Sequence, residues 1–205
     1  GIDRSWRKKA IKILEGHQPK QILDVATGTG DFAIASSVVR PEQIRGIDIS
    51  EGMLEIGRTK INRLELSETI ELLSGDSESI PFDDNKFDAA TVAFGVRNFE
   101  NLNKGLCEIC RVLRPGGMIM VLEFSKPVNP FIKTMYWFYF RNILPFIGRM
   151  ISRDARAYSY LPESVKAFPS GQEFLKALME AGFENCSQKE LTFGVASIYT
   201  GKKPG

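Results

Sequence analysis

Along the first 124 residues, five short apolar runs rich in β-branched side chains, QILDVA, QIRGIDI, TIELLSGD, FDAATVAF and MIMVLEF, alternate with longer stretches of helical spacing. This alternation constrains the fold more than any other feature. Strands that read as continuous apolar runs are buried on both faces, and helices between them bring the chain back so that the next strand runs parallel. Helical spacing covers Asp31 to Val39, Glu51 to Leu66 and Lys104 to Leu113, and the Pro115, Gly116, Gly117 cluster marks a sharp end to the last. Nearer the C-terminus, a helix over Gly171 to Ala181 precedes two strand-like runs, FENCSQKEL and FGVASIYTG, joined by a turn at Thr192 to Gly194. The pattern predicts an α/β, Rossmann-like, doubly wound sheet of seven strands ending in an antiparallel hairpin.

With 205 residues and 43% apolar side chains, the chain can build one full core and is short for two, so residues 1–205 are expected to form a single domain. After Phe124 the rhythm changes. The aromatic segment PVNPFIKTMYWFYFRNILPFIGRMI is interrupted by Lys133, Arg141, Pro145 and Arg149, and so falls short of the roughly 20 apolar residues of a membrane span. Residues 126–168 are read instead as a helical insertion following strand five. A formal charge of +2 provides no broad cationic face for phosphates, which argues against a nucleic-acid partner. The cysteines, Cys107, Cys110 and Cys186, are odd in number, and no basic start with an apolar run precedes the first helix, so a cytoplasmic setting is expected. Cys107 and Cys110 form a C-x-x-C inside a helical run without a second pair or a histidine cluster. They read as small core residues, and no metal is expected. His17, beside Gly16 and ahead of Pro19, reads as a helix terminus rather than a catalytic group.

The candidate chemistry lies at strand ends. LDVATGTGD places Gly28, Thr29 and Gly30 in the turn between the first strand and the first helix, where a missing Cβ lets backbone approach a ligand. A dinucleotide fingerprint needs a third glycine, but Gly30 is followed by Asp31, Phe32 and Ala33. Asp31 would repel a diphosphate at that turn and suits a cofactor bearing a sulfonium and an ammonium group. Asp48 ends the second strand about 20 residues past the glycine turn, where a carboxylate can accept both ribose hydroxyls, while Ser50 is better placed to cap the next helix. Asp76 and Ser77 end the third strand, in position for an adenine amino group and ring nitrogen. In such a sheet these strand ends share one crevice.

These motifs in this order, with RVLRPGG ahead of strand five, resemble the class I S-adenosylmethionine (SAM) dependent methyltransferases. The runs AFGVRN, RVLRPGG, LEFSKP and YSYLPESVKAFP are similar, more narrowly, to the UbiE/MenG family of ubiquinone and menaquinone biosynthesis C-methyltransferases, across nearly the whole chain. AFGVRNF also departs from the D-P-P-Y or N-P-P-Y run of enzymes that methylate base amines. The resemblance implies SAM as cofactor and S-adenosylhomocysteine as product. It implies a prenylated quinol as acceptor, demethylmenaquinol or a ubiquinone-pathway benzoquinol, methylated on a ring carbon beside a hydroxyl. It also implies a further N-terminal stretch, ahead of GIDRSWRKK, that helps cover the active site. Arg97 and Asn98, at the tip of strand four, are the expected catalytic pair. An arginine guanidinium keeps its proton and is no free base, so Arg97 is assigned to hold a quinol oxygen as its phenolate or to orient a proton-accepting water, with Asn98 fixing the geometry. Glu123, Tyr158 and Tyr160 rank below them for the proton step, and a packed, paired scaffolding arginine is the competing reading of Arg97.

A prenylated quinol is too apolar to diffuse free in water, so the enzyme meets it at a bilayer or in a greasy tunnel. Met135 to Phe140 suit an opening for the tail, and the stretch Lys126 to Arg156, with 6 basic residues against 1 acidic, suits anionic headgroups at a membrane surface. An ordinary buried helix or a homodimer contact accounts for the same aromatic run. Two other functions stay open on the motifs: a class I methyltransferase acting on another hydrophobic small molecule, and a SAM-binding scaffold without catalysis.

Overall fold

The computed structural model of the chain describes residues 2–127, 134 and 163–205. Its elements are α1 (Ile2–His17), β1 (Gln21–Val25), α2 (Asp31–Ser36), β2 (Gln43–Asp48), α3 (Glu51–Arg63), β3 (Ile70–Ser74), β4 (Phe87–Ala93), α4 (Leu102–Val112), β5 (Leu113–Phe124), α5 (Gln172–Glu180), β6 (Glu184–Leu191) and β7 (Ala196–Lys202). The seven strands form one sheet in the order β3-β2-β1-β4-β5-β7-β6. The five strands β1 to β5 are parallel to one another. Only β7 opposes them: it pairs antiparallel with both β5 and β6, so the terminal hairpin leaves β6 running with the parallel set.

Strand periodicity explains how one sheet serves two cores. Ile22 and Leu23, adjacent on β1 and both fully buried, belong to opposite faces. Leu23, Val25, Ile119 and Val121 face α4 and α5, through Leu106, Ile109, Phe174 and Leu178. Ile22, Ile44, Met120 and Leu122 face the other layer, which includes Trp6, Ala10, Ile11 and Leu14 of α1 and Leu54 and Ile61 of α3. The i, i+4, i+8 spacing of Trp6, Ala10 and Leu14 is the buried stripe of an amphipathic helix. Edge strand β6 is mostly exposed and polar, which discourages further pairing.

Several boundaries depart from the sequence reading. Helix α2 stops at Ser36 and continues only as a 3-10 turn, Ser37–Val39. Helix α4 begins at Leu102, because Asn101 caps it by accepting the Lys104 amide at 3.0 Å. The Pro115, Gly116, Gly117 cluster lies inside β5, where the register with β4 breaks between Phe87 and Ala89 and Gly116 takes φ 75°. Gly116 and Gly117 exchange backbone hydrogen bonds with Lys203, so the cluster bends the strand toward β7. Cys107 is exposed and only Cys110 packs against the core, which corrects the reading of both as core residues.

Most of the 126–168 insertion, including Lys133, Arg141, Arg149, the run 135–140, Tyr158 and Tyr160, lies outside the described residues. Within YSYLPESVKAFP, Val165 and Phe168 are buried, and the Phe168 ring stands 5.0 Å from Phe174. Among the described residues, no helix is long and apolar enough to cross a membrane.

Candidate active site

The strand order reverses between β1 and β4, and there the connections leave on opposite sides of the sheet and open a crevice at the strand carboxyl ends. Its volume is about 580 Å³, within the range of small-molecule sites. Gly28, Thr29, Asp48, Asp76, Ser77 and Asn98 all line it. Gly30 and Arg97 do not.

The glycine turn owes its shape to positive φ at Ala26, Gly28 and Gly30. Gly30, at φ 73°, serves packing: a Cβ there would stand 3.3 Å from Leu72 Cδ1. The Gly28 amide donates to Asp48 Oδ2 at 2.8 Å, and the Ser50 amide donates to Asp48 Oδ1 at 2.9 Å. Asp48 thereby ties the turn to the end of β2 while staying half-buried at the crevice. Ser50 does occupy the N-cap of α3, but its hydroxyl makes no capping bond. Asp76 accepts the Glu78 amide at 2.9 Å and remains exposed. Thr29 is held by Lys60, whose Nζ donates to Thr29 Oγ1 at 2.8 Å and to Asp31 Oδ1 at 2.7 Å. Burial would raise the Asp31 carboxyl, but Lys60 and Arg7 outweigh it and hold it below the usual range.

Sequence reasoning gave no role to Asp24, which lines the same crevice and is 1% exposed. Its oxygens accept the Thr27 hydroxyl at 2.6 Å and the Thr91 hydroxyl at 2.7 Å. Burial, against these hydrogen bonds, raises its pKa to about 6. A carboxylate inside a strand buried on both faces is itself the signal that was available for it. Phe94, Met53, Ile49 and Arg7 also line the crevice without having been singled out.

Arg97 lies one layer behind the surface assigned to it. Its Nη1 donates to the Phe94 carbonyl at 2.6 Å and to Glu123 Oε1 at 2.7 Å, and its guanidinium lies 5.6 Å from the Phe124 ring centre. Glu123 is fully buried, so burial pushes its carboxyl up while Arg97 opposes the shift. A buried carboxylate demands a cation beside it, and Arg97 supplies it. That pairing places Glu123 away from the crevice lining as well. Asn98 does reach the crevice. His17 ends α1 away from it, with its pKa lowered chiefly by burial. Among the described residues, no group of three or more His, Cys, Asp or Glu side chains is arranged to hold a metal ion.

A seven-stranded sheet of this order with an acid-rich crevice at its switch point defines a class I SAM-dependent methyltransferase. Solved structures share the architecture: a SAM-dependent methyltransferase from Aquifex aeolicus matches 94% of this chain and 88% of its own with TM-score 0.68 at 22% identity. The [4+2]-cyclase SpnF matches 90% of this chain and 74% of its own with TM-score 0.69 at 20% identity, so the fold alone does not fix a reaction. The model of the ubiE/COQ5 methyltransferase family matches residues 1–203, and the chain belongs to that family. A demethylmenaquinone methyltransferase of Bacteroides fragilis is 49% identical over 99% of this chain and 83% of its own length. A ubiquinone/menaquinone biosynthesis C-methyltransferase of Geobacter sulfurreducens is 43% identical over 99% of this chain and 80% of its own.

Proposed function

We propose that the protein transfers the methyl group of SAM to a ring carbon of a prenylated quinol, a demethylmenaquinol in the first instance. The observation that carries this reading is the acid-lined crevice on a chain of this family, together with relatives that bear the name of that reaction. SAM fits the residues present. Asp48, at the end of β2, is the acceptor for the ribose hydroxyls; Asp76 and Ser77 face the adenine; Gly28 and Thr29 supply close-approaching backbone; and Asp24 supplies buried negative charge beside the sulfonium. When bound, SAM supplies an electrophilic methyl group on a cationic sulfur.

Everything else falls to the protein. Holding a ring carbon in line with that methyl at roughly 3 Å supplies much of the acceleration. Asn98, from the tip of β4, orients a quinol oxygen so that the ring carries phenolate character, and Phe94 walls the ring. Arg97 is a positioning residue. Through the Phe94 carbonyl and Glu123 it fixes the loop that carries both. The aromatic and basic composition of residues 126–168 suits an apolar tail and an anionic membrane surface, and we assign the tail and membrane contact to that stretch of sequence.

Labelled SAM, incubated with the protein and a short-tailed demethylmenaquinol or demethylated benzoquinol, is expected to yield a ring-methylated quinol and S-adenosylhomocysteine, with the displaced ring proton released to water. Tight SAM binding with no transfer to either acceptor would instead select the scaffold reading. Co-sedimentation with anionic liposomes at low salt tests the membrane contact, and no binding there would remove it.

A further inference from the structure

The crevice has a charge problem that its acids alone do not solve. Among the described residues, six acidic side chains line it, Asp24, Asp31, Asp48, Asp76, Glu78 and Glu100, against a single cationic one, Arg7. This suits the sulfonium and ammonium of SAM. It opposes the carboxylate at the end of the same amino-acid tail, which has to be buried beside like charge unless a cation meets it. With adenine at the β3 end of the crevice and ribose at Asp48, the tail extends toward β1, β4 and α1, and Arg7 belongs to α1.

The state of Arg7 supports a ligand role. Trp6, 5% exposed, is locked by a 2.8 Å bond from its Nε1 to Thr192 Oγ1 and by ring contacts with Phe94 and Phe124 at 6.2 and 6.0 Å. The neighbouring Arg7 is therefore held at the crevice wall. Its own ion pairs are long, 3.6 Å to Asp31 and 4.0 Å to Asp3, beyond good hydrogen-bond reach. Asp31 is already neutralised by Lys60 at 2.7 Å. The Nε of Arg7 is buried with no hydrogen-bond partner among the described residues. A desolvated donor of a guanidinium, the one cationic side chain among the described residues that line an anionic crevice, matches a carboxylate in both charge and forked geometry.

We infer that Arg7 binds the carboxylate of the cofactor's amino-acid tail, so that the N-terminal helix α1 is part of the SAM site. The inference rests on the SAM reading above. Calorimetric titration with SAM and with decarboxylated SAM, ligands that differ only in that carboxylate, separates the two. Wild-type protein is expected to prefer SAM. Arg7→Met keeps the length and helix propensity of the side chain, and should lower SAM affinity about tenfold or more while moving that of decarboxylated SAM by no more than about twofold. Arg7→Lys should retain part of the preference, since the charge remains and the fork is lost. Equal losses for both ligands, or none for either, would overturn the assignment. So would a wild-type protein indifferent to the carboxylate, a result that stands even where the variant does not fold. A wild type that binds neither ligand sinks the SAM reading itself, and Arg7 with it.

Discussion

Asp48 and Glu123 occupy equivalent places, each at the carboxyl end of a parallel strand, yet the protein treats them in opposite ways. Asp48 is half-buried and accepts its hydrogen bonds from the backbone amides of Gly28 and Ser50, which leaves its charge to the crevice. Glu123 is fully buried and spends its charge on Arg97. Position at a strand tip therefore makes a residue available for binding but does not assign it. What decides is whether the neutralising partner is built into the fold or left to arrive as a ligand.

The comparison can be broken most severely at Glu123. Glu123→Ala strands the Arg97 charge in the interior and should cost about 3–5 kcal/mol in chemical denaturation. A loss below about 1 kcal/mol would mean that the pair is not buried as described. On the other side, Asp48→Ala should cost only about 1–2 kcal/mol of stability, for the Gly28 and Ser50 amides it leaves unpaired, and weaken S-adenosylhomocysteine binding about 30- to 100-fold, as expected for losing a charged acceptor; unchanged calorimetric affinity would remove Asp48 from the site. Arg97→Ala should cost less than Glu123→Ala, about 1–3 kcal/mol, because the orphaned carboxyl can take up a proton instead of staying charged. The sign follows from a folded pKa above the unfolded one. The cost is absent below the unfolded-state pKa and grows as pH rises through the folded value, so the variant should be relatively more stable at pH 5 than at pH 8. Its turnover should fall far more than its SAM affinity, and equal turnover would refute the positioning role. The smallest effect belongs to Asp24, with a folded pKa of about 6. A cationic ligand favours the ionised carboxylate, so SAM affinity should climb by up to about tenfold as pH rises through that value. Asp24→Asn should flatten the profile, and a wild-type profile already flat between pH 5 and 7 would detach Asp24 from the cation.

The alternation of apolar runs made the sheet legible, since the central strands are buried on both faces and each carries its own signal. So was the β1 to β3 side of the crevice, where Gly28, Asp48 and Asp76 each follow directly from the strand that presents them. The β4 and β5 side was not. Arg97 and Glu123 stand 26 residues apart, and only the finished sheet brings them to 2.7 Å. Nothing local marks such a pair. Arg7 was hidden for the same reason, because a helix with arginines and lysines along its exposed face does not announce which of them turns inward. At Pro115 to Gly117 the turn chemistry was read correctly but given too much force, as neighbouring strands held those residues in β5 as a bend.

The berth of α1 includes Thr192, made 186 residues after its partner Trp6. On a growing polypeptide, the acid-bearing strand tips can pair long before the hairpin of β6 and β7 leaves the ribosome, whereas the first helix has no finished surface to settle on until then. High sequence separation delays such docking, because loop closure precedes its reward. Helix α1 is thus seated late, and a molecule cut short before its final strands would lack the hydrogen bond that fixes Trp6 beside the crevice.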